Sequence, residues 1–248
     1  MFQILKDREL APNIFEMIVR APRVAQACLP GQFVIVRCEE DGERIPLTIC
    51  DYDRKEGTIQ IVFQIVGAES YKMAQKKTGD AFADVVGPLG KPSDLTEMSP
   101  EELQKKKIVF IAGGVGTAPV YPQLKWLKEH GITADCILGA KNKDFVILEK
   151  EIGSVSNLYV TTDDGSYGRS GMVTKCLEDL VKQEGHEYNH CVAIGPMIMM
   201  KFVSLLTKEL GIPTIASMNT IMVDGTGMCG ACRLSVGDEI KFACVDGP

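Results

Sequence analysis

Several patterns are missing from this chain of 248 residues, and each absence removes a class of function. No apolar run approaches the roughly 18 residues that a membrane-crossing helix needs. Positive charge is not in excess: 27 Lys and Arg stand against 33 Asp and Glu, a net charge of −6, so the footprint of a protein that grips nucleic-acid backbone is not there. Nor is there an even set of cysteines behind a secretion signal. The count is nine, and the N-terminus MFQILKDREL meets charge at once instead of opening an apolar stretch, so neither a disulfide framework nor export is expected. A cytoplasmic protein without a membrane or nucleic-acid partner follows, and 45% hydrophobic with 24% charged residues suits a globular one.

What is present falls into two halves. Over residues 1–98 the chain reads as β structure. FVIVRCE (33–39) and TIQIVFQIV (58–66) are rich in β-branched residues, and in the second Ile59, Ile61, Phe63 and Ile65 alternate with Thr58, Gln60, Val62 and Gln64, the period of a strand with one buried face. Pro-Gly, Asp-Gly and Glu-Gly turns separate the runs, and strands at this spacing predict a small antiparallel barrel with one short helix near 70–79. The polar stretch 91–107 reads as a linker. From Ile108 strands alternate with helices of ten to fifteen residues, ending on a strand at 214–218, which predicts a doubly wound parallel sheet over 99–218. The fold class is therefore α/β plus all-β.

Three segments of the second half follow strands directly, at the carboxyl ends where open α/β sheets bind ligands. GGVGTAP opens a helix, and Gly113, Gly114 and Gly116 would let backbone amides approach a pyrophosphate, with Thr117 as helix cap; the plainer reading is a tight strand–helix connection. TDDGSYGRSG carries Asp163 and Asp164. IGPMIMM carries Gly195, Pro196 and Met197, and Met197 serves either a ligand or the core, whereas Met200 reads as core.

Six cysteines (28, 38, 50, 136, 176 and 191) are scattered through apolar runs and read as small buried hydrophobes. Cys229, Cys232 and Cys244 are different: they cluster among glycines in residues 219–248. Three thiolates are one short of a tetrahedral zinc site, there is no second C-x2-C pair, and the three histidines, His130, His186 and His190, lie in the preceding domain at 99–218.

In this order the segments resemble the ferredoxin–NADP reductase superfamily over essentially the whole chain: RIPLTI (44–49), GPLG (87–90), GGVGTAP and IGPMIMM, followed by the cysteines. The cysteines narrow the likeness to the electron-transfer subunits of heterotetrameric dihydroorotate dehydrogenase, of soluble sulfhydrogenases, and of NADH-dependent reduced ferredoxin:NADP oxidoreductase. The resemblance implies an FAD barrel at 1–98, an NAD(P)-binding domain at 99–218 and a [2Fe–2S] segment at 219–248. It implies that Arg44 neutralises the flavin pyrophosphate, that Pro46, Leu47 and Thr48 line the isoalloxazine, that Val62, Phe63 and Gln64 run along the ribityl side, and that Glu69 and Ser70 meet the phosphates. Arg44 lies four residues before Thr48, where the superfamily usually spaces R-x-x-S/T.

The related subunits hold their cluster with C-x4-C-x2-C-x(n)-C. The same register here reads Asp224-x4-Cys229-x2-Cys232-x11-Cys244, so the resemblance implies Asp224 as the fourth ligand; the alternative is that Asp224 is only the turn residue of an Asp-Gly pair. The implied activity is electron transfer between NAD(H) or NADP(H), FAD, the cluster and a larger flavin/iron–sulfur subunit, with ferredoxin served indirectly through electron bifurcation. The chain stops four residues after Cys244, where members of these families continue, so a missing tail is expected.

Overall fold

The computed structural model describes residues 2–247. They form two compact units, one made of the chain up to Thr96 together with everything from Met218 on, the other of Glu97–Ser217.

In the first unit, β1 (Phe2–Ala11), β2 (Ile14–Arg20), α1 (Pro22–Ala27), β3 (Phe33–Arg37), β4 (Arg44–Asp53), β5 (Thr58–Gln64), α2 (Ala68–Gln75), β6 (Ala81–Phe82) and β7 (Asp84–Leu89) follow one another. The strands form one antiparallel sheet in the order β6-β1-β2-β5-β4-β3-β7. Its two edge strands, β6 and β7, are separated in the chain by Ala83 alone, so the sheet must curl until its edges nearly meet. Ile4, Met17, Ile59, Ile61, Phe63 and Phe82 fill the interior. Strand β5 also buries Thr58 and Val62, which the alternation had given to solvent, while Gln60 on the same face is half-buried and Gln64 exposed.

Strand β3 shows most plainly how this unit is built. Its residues Phe33 to Val36 are all buried. Val34 and Val36 point into the barrel core, whereas Phe33 and Ile35 join a second cluster with Met222, Cys232, Ala243 and Cys244. The period of two puts alternate side chains on opposite faces, and the unbroken apolar run FVIV is what a strand needs when both faces are dry. The cover on the outer face is the C-terminal segment, which continues into a small hairpin, β14 (Arg233–Val236) and β15 (Glu239–Phe242), and a last helical turn, Ala243–Asp246. Gly225 sits in the left-handed region at φ 79°, and a Cβ there would lie 2.7 Å from Ile35 Cδ1 and 2.9 Å from Leu89 Cδ1, so this backbone lies directly on β3 and β7.

The second unit holds β8 (Ile108–Gly113), β9 (Asp135–Ala140), β10 (Asn157–Thr162), β11 (Arg169–Ser170), β12 (His190–Ile194) and β13 (Thr214–Ala216), all parallel, in the order β11-β10-β9-β8-β12-β13. The principal helices between them are α4 (Thr117–Glu129), α5 (Glu149–Val155), α6 (Val173–Lys182) and α7 (Met197–Glu209), with α3 (Pro100–Gln104) ahead of β8 in the stretch expected to be linker. The order reverses between β8 and β12, which makes their carboxyl ends the topological switch point. At the amino ends of the strands, Asp135 accepts hydrogen bonds from Tyr188 Oη (2.6 Å) and Asn157 Nδ2 (2.8 Å) and lies 3.0 Å from His186 Nδ1. Burial, reinforced by that carboxylate, pushes the Tyr188 phenol far above its usual range. The six scattered cysteines are all buried. No helix among the described residues is long and apolar enough to cross a membrane.

Because Ile35 bridges β3 and the cysteine segment, Ile35→Ala should open a void on that face alone. The expected cost is about 2–5 kcal/mol in urea unfolding, accompanied by faster labelling of Cys232 and Cys244 by a thiol reagent in metal-free protein. Unchanged labelling would show that the segment holds its place without this contact.

Candidate functional site

The antiparallel ladder between β4 and β5 stops at Ile49 and Ile61. Before that point Arg44–Thr48 pairs only with β3, in the register Phe33↔Thr48, Ile35↔Pro46 and Arg37↔Arg44. Val62, Phe63 and Gln64, on the other side, pair with β2. The sheet is thus split between these two stretches, and Pro46, which has no N–H to give, is tolerated on the open edge. The structure places all seven residues expected of the flavin strands on the lips of this split, but their side chains differ. Leu47, with Ile45, packs against the barrel core, and Val62 and Phe63 are buried, Phe63 stacked on Phe15 at 5.9 Å. Pro46 and Thr48 are half-buried and Gln64 is exposed.

Arg44 turns elsewhere. Its Nε donates to the carbonyl oxygen of Val223 at 3.0 Å and its Nη2 to that of Asp224 at 3.4 Å. Ser70 is also committed: its hydroxyl accepts from the amides of Val66 (2.9 Å) and Gly67 (3.0 Å) and donates to the Gly67 carbonyl, which fixes the entry to α2. Glu69 is buried, with Oε1 on Lys72 at 2.7 Å and Oε2 buried without a hydrogen-bond partner among the described residues.

In the second unit the two glycine segments meet at the switch point. A Cβ on Gly116 would fall 2.3 Å from the Ile194 carbonyl oxygen, and one on Gly195 would fall 3.1 Å from Gly113 Cα. Gly116 has no room for a side chain and Gly195 is in tight contact with the Gly113 backbone, so backbone lies close to backbone, the cradle a pyrophosphate needs beside a helix N-terminus. Gly114, at φ 55°, supplies the sharp turn. Thr117 does not cap α4 as its sequence position suggested. The cap is Gly116, Thr117 is the first helical residue, and its Oγ1 is buried with no partner among the described residues. Met197 is 57% exposed and Met200 buried. The sulfur that fills the notch belongs to Met199, which sequence reasoning passed over: Sδ would lie 2.4 Å from a Cβ on Gly113, and Cε 2.8 Å from one on Gly195. The third position after Pro196 brings the helix back to this face, and that spacing was the available signal. Asp163 and Asp164 are exposed in the loop after β10, Asp164 accepting from the Ser166 amide at 2.9 Å.

The cysteine segment brings two of its thiols together: Cys232 Sγ and Cys244 Sγ are buried and 3.2 Å apart, both free, and Cys229 is exposed. Asp224 closes the loop that carries Cys229. Its Oδ2 accepts from the Cys229 amide at 2.6 Å and its Oδ1 from the hydroxyl (2.7 Å) and amide of Thr226. Hydrogen bonds from Cys229 and then Thr226 hold its carboxyl well below the usual carboxylate range. Among the described residues, no group of three or more His, Cys, Asp or Glu converges as a metal site. Asp224, Cys229, Cys232 and Cys244 therefore share one segment without forming a closed shell. The donors still fit an iron–sulfur centre better than zinc: a close buried thiol pair, a third, exposed thiol three residues before Cys232, and glycines that leave amides free to bond sulfur.

The chain is similar to known proteins along its whole length. Residues 219–248 match the iron–sulfur cluster binding domain of dihydroorotate dehydrogenase B. The dihydroorotate dehydrogenase B (NAD(+)) electron transfer subunit homolog of Thermotoga maritima is 44% identical, over 99% of this chain and 84% of its own. The electron transfer subunit of the same enzyme from Geobacillus thermodenitrificans is 33% identical, over 99% and 93%. A solved structure of the electron-bifurcating NADH-dependent reduced ferredoxin-NADP oxidoreductase superposes with a TM-score of 0.92 at 42% identity, over 100% of this chain and 87% of that one. By sequence and by fold, then, the chain belongs to the family of dihydroorotate dehydrogenase B electron transfer subunits.

Proposed function

We propose that the chain is the electron-transfer subunit of a cytoplasmic NAD(H)-linked flavin and iron–sulfur oxidoreductase, working beside a larger flavin/iron–sulfur subunit in an electron-bifurcating NADH-dependent ferredoxin:NADP oxidoreductase. The observation that carries this reading is the shared strand β3. Its outer face holds the cysteine segment, and its neighbour β4 forms one lip of the split in the sheet. When bound, FAD would take a hydride from the nicotinamide and release electrons singly to a [2Fe–2S] cluster.

The chain's own residues supply position and charge. Pro46 and Thr48, half-buried on the open lip, and Gln64 opposite would flank the isoalloxazine and ribityl chain. Gly113, Gly114 and Gly116 would present amides to the nucleotide pyrophosphate, with the orphaned Thr117 hydroxyl beside them. Gly195, Pro196 and Met197 would border the nicotinamide, and Asp163 and Asp164 the far end of the nucleotide. Asp224, Cys229, Cys232 and Cys244 would hold the cluster, Asp224 as the harder donor. Around those cysteines Ile221 and Met228 are 79% and 90% exposed, an apolar rim suited to contact with a partner subunit.

A second reading keeps the relay but changes the partner to a dihydroorotate dehydrogenase catalytic subunit, which the match of residues 219–248 favours. The identity of the subunit that copurifies with the chain from its native source decides between them.

Mixed anaerobically with each nucleotide in a stopped-flow instrument, the holoprotein should bleach its flavin absorbance faster with NADH than with NADPH. Equal rates would remove the NAD preference. Gly116→Ala should drive a methyl against the Ile194 carbonyl and weaken nucleotide binding roughly tenfold or more while leaving FAD content unchanged. For Asp224, the expected result is that Asp224→Ala and Asp224→Asn both lose or destabilise the cluster, whereas Asp224→Cys keeps it with a shifted midpoint. Asn preserves the turn but not the anionic donor, so an unchanged EPR spectrum and midpoint in Asp224→Asn would place the fourth ligand elsewhere.

A further inference from the structure

The residue that the resemblance assigned to the flavin pyrophosphate, Arg44, has its guanidinium on the cysteine segment instead. Strand periodicity explains why. Along β4, Ile45 and Leu47 pack toward the barrel core, so Arg44, Pro46 and Thr48 project from the opposite face. Their partners across the ladder are Arg37, Ile35 and Phe33, and two of those, Ile35 and Phe33, belong to the cluster that buries Cys232 and Cys244. Arg44 thus stands on the face that the C-terminal segment covers. It uses the Nε and Nη2 edge, the fork that could have gripped a phosphate, to donate to the carbonyl oxygens of Val223 and Asp224, 179 and 180 residues away in the chain.

We infer that Arg44 is a positioning residue for the iron–sulfur segment rather than a flavin-phosphate ligand: it ties the first residue of the flavin strand to the backbone that opens the cysteine loop, and fixes a positive charge beside the ligand set. The inference rests on the proposed function, which supplies the flavin and the cluster. Two consequences follow from the geometry. First, the tie restrains Asp224, whose carboxylate in turn holds the Cys229 amide, so losing it loosens the loop from its first residue. Second, a fixed cation near an iron–sulfur centre favours the more negative, reduced state, so removing it should move the midpoint to lower potential. Among the described residues this edge of Arg44 has no hydrogen-bond partner besides these two carbonyls, and the residue is half-buried rather than part of the core.

The test compares wild type, Arg44→Met and Arg44→Lys as reconstituted holoproteins, measuring FAD per chain, cluster lifetime under a chelator, and EPR-monitored redox titration. The expected result is that all three bind FAD in the same ratio. Arg44→Met should lose its cluster roughly tenfold faster and titrate at lower potential. Arg44→Lys keeps the charge but not the fork, so the midpoint should return toward wild type while the lifetime stays short. Arg44→Met that loses FAD yet keeps the cluster's lifetime and midpoint would overturn the inference and return Arg44 to the pyrophosphate. Wild-type protein that takes up neither FAD nor cluster would overturn it differently, by removing the proposed function beneath it.

Discussion

The packing of β3 on both faces is the constraint on which the first unit depends. A barrel strand ordinarily shows one face to water, and its sequence then alternates. Phe33 to Val36 cannot alternate, because Val34 and Val36 close the barrel core while Phe33 and Ile35 form the floor beneath Cys232 and Cys244. Each of these side chains contributes roughly 1.5–3 kcal/mol when fully buried, so the C-terminal segment is not an appendage. It completes a hydrophobic layer that the barrel leaves open. The same strand hydrogen-bonds to β4, and neighbouring strands lie about 4.8 Å apart. The segment that carries the thiols and the strand that borders the split are thereby set on one rigid support, one strand width apart along the sheet.

The second unit reaches its site by a different device, the exclusion of side chains. At the switch point the ends of β8 and β12 approach so closely that the Ile194 backbone leaves Gly116 no space for a methyl group, and a Cβ on Gly113 or Gly195 would meet the Met199 side chain. This close approach leaves amides at the start of α4 unencumbered, and it leaves a notch that the Met199 thioether fills. An unbranched thioether adapts to an irregular gap better than a β-branched side chain would. The buried Thr117 hydroxyl, without a partner among the described residues, lies in the same turn. A polar atom left without a partner costs stability of order 1–3 kcal/mol, a cost that functional sites commonly carry and structural turns do not.

Sequence patterning made much of this legible. The parallel sheet was readable because each buried run was followed by a helix with its own stop, as with Ile108–Gly113 and the helix ending before Gly131. The glycine segments were readable because they sit at strand ends. What could not be read was direction and partnership across long separations. Alternation places Arg44 and Leu47 on opposite faces of β4, but it does not say which face is covered, or by what. The cover is a segment some 180 residues later. Likewise the resemblance implied that Ser70 meets the flavin phosphates, yet its hydroxyl already satisfies the Val66 and Gly67 amides. Met199 was hidden for a simpler reason: three methionines lie within four residues, and only the helical turn counted from Pro196 separates them.

One departure in the flavin strand, an arginine four residues before Thr48 instead of three, follows from the same alternation. In a strand, a shift of one residue moves a side chain to the other face. An arginine at position 45 would share the face of Leu47 and point toward the barrel; at 44 it shares the face of Pro46 and meets the cysteine segment. The change costs the barrel side a cation, and Ile45 takes that place as packing. It gains the cysteine loop a tether at its first residue, Asp224, where the related register has a thiolate. A carboxylate in that place is bonded to the Cys229 amide and to Thr226, and its backbone carbonyl accepts from Arg44. The two departures thus meet on one residue: the Asp224 side chain bonds the Cys229 amide and Thr226, while its backbone carbonyl accepts from the Arg44 guanidinium.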